Sequence, residues 1–212
     1  MTYLVHHVPL VARLLGEHIL LVLTALAAAL IIATPLAVLV TRWRRWRGPV
    51  LGVFGVVYTI PSLALFALLI PLEGLGFWTA VTALAAYAQM ILIRNFAAAL
   101  SAVDPRAREA AFGMGMSATQ VLWRVDRPLA MPVAIAGVRL ATISLIGIGT
   151  VAAWINAGGL GTLVLDGIQH DYPEKAVAGA IAAVALALVA DYGLRRAELH
   201  YRRHLAAAER RG

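Results

Sequence analysis

Glu109-Ala110-Ala111-Phe112-Gly113-Met114-Gly115, followed by thirteen residues ending at Pro128, decides how this sequence is read. It sits in the middle of the chain and is the only polar interval of any length between two long apolar runs. Residues 101–128 hold Asp104, Arg106, Arg108, Glu109, Arg124, Asp126 and Arg127. Asp104-Pro105 has the form of an N-cap followed by proline at the first helical position. Arg106 to Phe112 is then a run of good helix formers. Gly113 and Gly115 stop or bend that helix. Ser117 is placed to cap a second short helix, Ala118 to Arg127, which Pro128 hands over to the next apolar run. The interval therefore reads as a stiff helix-turn-helix at a membrane surface, a shape suited to docking on another protein.

The flanking runs set the fold class. Of 212 residues, 61% are hydrophobic and 14% charged, against about 25% charged in a soluble domain. That places the chain among integral membrane proteins, with all-α architecture and one domain over residues 1–212. Five runs read as spans against the roughly 20 apolar residues that cross a bilayer, at about 18–41, 49–72, 77–99, 129–155 and 173–194, the last with an uncharged core of only 15 residues, Ala176 to Ala190. The absence of cysteine excludes disulfides and thiolate metal sites. The net charge of +7 does not point to nucleic acid, because the arginines border apolar runs instead of lining one soluble face.

The residues ahead of His18 read as an external arm on the bilayer surface. Pro35 is expected to kink the first span, and Pro61 to break the second near its middle, where Tyr58, Thr59 and Ser62 are able to meet the freed backbone groups. Arg42-Trp43-Arg44-Arg45-Trp46-Arg47 has the composition of an interfacial anchor. Arg139 lies about ten residues into the fourth span. It must face protein or water, either as a structural pair, for instance with Asp126, or as a gate residue at the inner mouth. Asn156-Ala157-Gly158-Gly159-Leu160-Gly161 is an external turn without the lysine or the strand context that a phosphate loop requires. Asp166, His170 and Asp171 are too few to make a metal site. The tail from Arg195 is basic and helical.

Fourteen of the 18 basic residues fall on one side of this five-span arrangement: Arg42, Arg44, Arg45 and Arg47, then Arg106, Arg108, Arg124 and Arg127, then six tail arginines from Arg195 to Arg211. The excess of positive charge on cytoplasmic loops puts the amino end outside, with the 101–128 loop and the carboxyl end in the cytoplasm.

The central interval resembles the docking loop of the permease subunits of bacterial ATP-binding-cassette (ABC) importers. That pattern is Glu-Ala-Ala, three residues, glycine, nine residues, an aliphatic residue, one residue and then, as a rule, Leu-Pro. The matching positions are Glu109, Ala110, Ala111, Gly115, Val125 and Pro128, with Arg127 where leucine is usual. Ile60-Pro61-Ser62-Leu63-Ala64-Leu65, Val103-Asp104-Pro105, Pro128 to Arg139 and Ala157 to Gly161 extend the resemblance toward the osmoprotectant permeases, which carry glycine betaine, carnitine or choline. Members of that group often have glycine where this chain has Asn156. The methionine-importer permease is the nearest alternative, since it shares five spans and the Ala-Gly-Gly-Leu-Gly turn.

The resemblance implies a type I importer fold in the bacterial cytoplasmic membrane. It also implies four kinds of partner: ATPase subunits that dock on the loop, a second permease subunit, an extracellular or periplasmic substrate-binding protein and membrane lipid. ATP and Mg would act in the ATPase, leaving this chain without catalytic residues, metal or bound cofactor. Tyr58, Ser62, Gln89 and Asn156 are candidates for lining the path, with interhelical hydrogen bonding as their alternative role. A stand-alone channel or secondary carrier would call for paired intramembrane carboxylates or an inverted repeat, and neither is visible in the sequence.

Overall fold

The computed structural model describes residue 3 and residues 6–209, with no strand among them. In chain order the helices are α1 (Val8–Arg42), α2 (Arg44–Thr59), α3 (Ser62–Glu73), α4 (Phe77–Ser101), α5 (Pro105–Gly113), α6 (Ala118–Val121), α7 (Arg127–Gly149), α8 (Gly161–Gln169) and α9 (Pro173–Glu209). A π turn, Leu122–Asp126, links α6 to α7, and a 3-10 turn, Val151–Ile155, follows α7. Among the described residues four helices are long and apolar enough to cross a membrane, or up to five spans if α2 and α3 together make one.

The bundle is built around α4, which packs against α1, α7, α2 and α3. Ala25, Ala29, Ala33 and Ala37 recur every fourth residue along α1 and have no exposed surface. A row of side chains that small lets two backbones approach closely, which is how apolar helices associate without a hydrophobic driving force. On α4 the fully buried Leu84, Leu92 and Ile93 fill the layer beside that row. At Gly137 of α7 an added Cβ would lie 2.6 Å from Asn95 Cβ, so the α4–α7 contact also rests on a missing side chain.

Two expectations about the first spans change. The first helix does not begin at His18: α1 starts at Val8, with Pro9 in its first turn. Leu14 is buried and Arg13 pairs with Glu17 at 3.7 Å, so from Val8 on the supposed arm is helix continuous with the first span. Residues 1, 2, 4 and 5 of that arm lie outside the described residues. Pro35 sits within α1 without ending it.

The second run, expected as one span with a break, is two helices bent by 102°. Ile60 is extended (φ −68°, ψ 129°), the conformation that a following proline enforces. The Ile60 carbonyl, left without a helical partner, accepts a hydrogen bond from the Tyr87 hydroxyl of α4. Thr59 instead bonds back to Val56 O at 2.7 Å, and Tyr58 meets the Tyr87 ring edge-on at 6.1 Å. Tyr87→Phe leaves that carbonyl unpaired in an apolar setting. It should cost about 1–3 kcal/mol, read as a lower unfolding midpoint in detergent. An unchanged midpoint would remove Tyr87 from this role.

Candidate functional site

The polar interval forms the element its composition forecasts. Asp104 caps α5, its Oδ1 accepting from Arg106 N–H at 2.9 Å. The helix ends at Gly113, and Gly115 turns the chain at φ +80°, a conformation open to glycine but costly for a residue with a Cβ. Ser117 and Gln120 complete a reciprocal capping box on α6, Ser117 Oγ accepting from Gln120 N–H at 3.3 Å and Gln120 Oε1 from Ser117 N–H at 2.8 Å.

Past Val121 the expectation needs correcting. The second helix is not one α-helix from Ala118 to Arg127: its α turns end at Val121. The ladder widens into the π turn, where Arg127 N–H reaches back five residues to Leu122 O, and then continues as α7. Proline at 128 has no N–H to offer the carbonyl four residues earlier, and an extra residue in the turn absorbs that gap. Pro128 thus occupies the first turn of α7, where proline is tolerated. The second loop helix and the fourth span are one continuous piece.

Arg108 fastens α5 to the bundle. Its Nε donates to Asp126 Oδ1 at 2.6 Å and its Nη2 to Leu100 O at 2.5 Å. One guanidinium therefore ties the loop helix to the end of α4 and to the π turn that leads into α7. It crosses a cleft of about 270 Å³ bordered by Thr41, Arg42, Leu100, Phe112 and Leu122. Ala111 is buried, whereas Glu109, Ala110, Phe112, Met114 and Gly115 are exposed. Phe112 and Met114 are 51% and 72% exposed, an apolar pair beside a carboxylate on a helix that cannot swing freely. Arg44, Arg47, Ala97 and Ser101 line an adjacent cleft, so the first two arginine groups lie at the same end of the molecule.

The four path candidates are not brought together. Gln89 is buried to 1% exposure, and its Nε2 reaches Ala29 O at 3.2 Å and Ala85 O at 3.3 Å, a bond across the α1–α4 contact. Tyr58 is exposed and Ser62 half-buried at the α2–α3 break. Asn156 is exposed in the left-handed conformation (φ 60°, ψ 29°) after the 3-10 turn. Of the aromatic residues, Trp78 and Trp154 point outward while Phe66 is wholly buried.

Arg139 does have a carboxylate partner, but it is Asp191 of α9 at 3.5 Å and not Asp126, which Arg108 holds. Asp166 is engaged by Lys175 Nζ at 2.9 Å, bracing α8 on α9.

The sequence reading missed Arg108, and it missed the fastening at the opposite end. There Glu17 Oε2 accepts from Gly159 N–H at 3.1 Å. Next to it the fully buried His18 has Nε2 3.1 Å from Ile146 O. An added Cβ at Gly159 (φ +80°) would lie 2.8 Å from His18 Nδ1, so the glycine turn seats directly on α1. The available signal was a charged and an aromatic polar residue side by side at the head of an apolar run.

Among the described residues the structure is a polytopic helical bundle carrying a braced helical knuckle that is continuous with one apolar span. The chain belongs to the family described as binding-protein-dependent transport system inner membrane component, whose model matches residues 25–202, and it is the permease of an ABC importer. It is 40% identical over 202 residues to the osmoprotectant import permease protein OsmW of Salmonella typhimurium, covering 93% of this chain and 94% of that one. It is 38% identical over 179 residues to the glycine betaine/carnitine/choline transport system permease protein OpuCB of Bacillus subtilis, covering 84% and 82%. In fold it matches an inward-facing structure of the MetNI methionine ABC transporter with a TM-score of 0.81 at 22% identity, covering 91% of this chain and 96% of that one.

Proposed function

We propose that this chain forms the translocation path for osmoprotectants such as glycine betaine, carnitine or choline in the bacterial cytoplasmic membrane. A cytoplasmic ATPase drives it through the 101–128 loop. The observation that carries the coupling role is the Arg108 brace. A push on α5 cannot dissipate in a floppy linker, because the same residue grips α4 and the root of α7. Glu109, Ala110, Ala111, Gly115 and Pro128 form the docking element. Phe112 and Met114 give it apolar surface, and shielding such surface from water favours docking. ATP and Mg act in the ATPase, a binding protein delivers the solute, and a second permease subunit completes the path. The amino end is outside, and the loop lies inside with the arginine clusters. Substrate class rests on the relatives at 38–40% identity. The methionine transporter offers likeness of fold alone.

Two variants test the coupling reading. Glu109→Lys reverses the charge on the exposed face, and Gly115→Asp forces a side chain into φ +80°. Each should reduce co-purification of the ATPase tenfold or more while the permease itself remains monodisperse. Full recovery of the ATPase with both variants would sink the docking role. The substrate reading is tested separately, by ATP-driven uptake into vesicles holding the whole assembly and its binding protein. Uptake of methionine but not of betaine, carnitine or choline would overturn it and leave the coupling intact.

A further inference from the structure

An apolar groove of about 510 Å³ runs between α1, α4 and α7 at the arginine-rich end, walled by Thr34 and Val38 of α1, Phe96 of α4, and Met131 and Ala134 of α7. Trp123 and Arg127 also border it, and Arg127 is its only charged lining residue. The Arg127 guanidinium stacks over the Trp123 ring at 4.9 Å. Stacking occupies one face of the cation and leaves its edge N–H groups pointing outward. Among the described residues no carboxylate lies within ion-pair distance of Arg127. The nearest in sequence, Asp126, is taken by Arg108.

We propose that this groove is a binding site for an anionic phospholipid, with an acyl chain between α1 and α7 and the headgroup phosphate on Arg127. Basic pockets between membrane helices at the interface take such headgroups, and a guanidinium fork matches phosphate geometry. The exposed Trp123 marks the interfacial depth where a headgroup lies. Charge selects the occupant. A second copy of the chain related by a twofold axis would set arginine against arginine if this face lay on the axis. A phosphate answers Arg127 directly.

The full-length protein, stripped of lipid in detergent, is exposed to phosphatidylglycerol or phosphatidylcholine with matched acyl chains, and retained lipid is counted by native mass spectrometry. The expected result is about fivefold preference for phosphatidylglycerol, the scale of one basic residue at an anionic surface. Arg127→Leu should abolish the preference without unfolding, Arg127→Lys should keep most of it, and Ala134→Phe, which fills the groove, should reduce retention of both lipids. Should the leucine variant not be monodisperse, Arg127→Gln is read the same way. An undiminished preference in the neutral variant overturns the site. So does quantitative cross-linking of two Ala134→Cys copies through the groove, which would give this face to a second permease.

Discussion

Arg108→Leu should separate ATP hydrolysis from transport, cutting solute moved per ATP consumed by roughly an order of magnitude while the spans stay folded. The substitution removes the bond to Leu100 O and leaves the Asp126 carboxylate alone. Breaking a buried ion pair from one side costs about 3–5 kcal/mol. Here the side chains retain 28% and 14% of their exposure, so screening lowers the penalty to about 2 kcal/mol. That is small beside the stability of a whole bundle but large for a nine-residue helix with one buried side chain. The effect should therefore be local. Backbone amides of residues 105–113 should exchange faster by about thirtyfold, the equivalent of 2 kcal/mol, while those of α4 should not change.

Arg108→Lys keeps the charge but cannot reach both acceptors with one planar fork, so it should fall between wild type and leucine. Asp126→Asn keeps an acceptor and should be the mildest of the three. Unchanged transport per ATP together with unchanged exchange in the leucine variant would show that α5 is held some other way.

What could be read ahead of the structure follows from how far each determinant reaches along the chain. Asp104-Pro105 and Ser117 act over two or three residues, so their caps were visible as written, although the return bond from Gln120 was not read. The spans were visible because mean apolarity over about 20 residues is also a local quantity. Pro128 shows where local reading fails. Proline suits both the end of one helix and the first turn of the next, and only the π turn before it settles which. At Pro61 the break itself was local, but the Ile60 carbonyl beside it finds its partner in Tyr87, 27 residues further on, and the 102° angle between the two helices is not a local quantity. Arg139 was rightly judged in need of company. Its partner Asp191 is 52 positions further on, and no spacing rule links two helices that meet only after folding.

Gly161→Ala should be the most damaging single substitution by a small side chain. A Cβ there would lie 1.9 Å from the Thr150 carbonyl oxygen, 2.6 Å from its carbon and 2.8 Å from its Cα. All three are backbone atoms, so no rotamer change relieves the overlap. Overpacking commonly costs about 1–3 kcal/mol. With backbone against backbone the loss should reach or exceed the upper end, because the turn from Thr150 to Gly161 has to open. Opening it would also unseat Gly159 from Glu17 and His18, so the damage should spread to the head of α1. The matched control is Gly147→Ala in the last turn of α7, where an added Cβ meets nothing within 4 Å and removing a helical glycine should be neutral or stabilise by up to about 1 kcal/mol. Both variants are compared by unfolding midpoint and monodisperse yield in detergent. Equal midpoints for the two would mean that Thr150 and Gly161 do not approach so closely, and the seating of the glycine turn on α1 would fall with that contact.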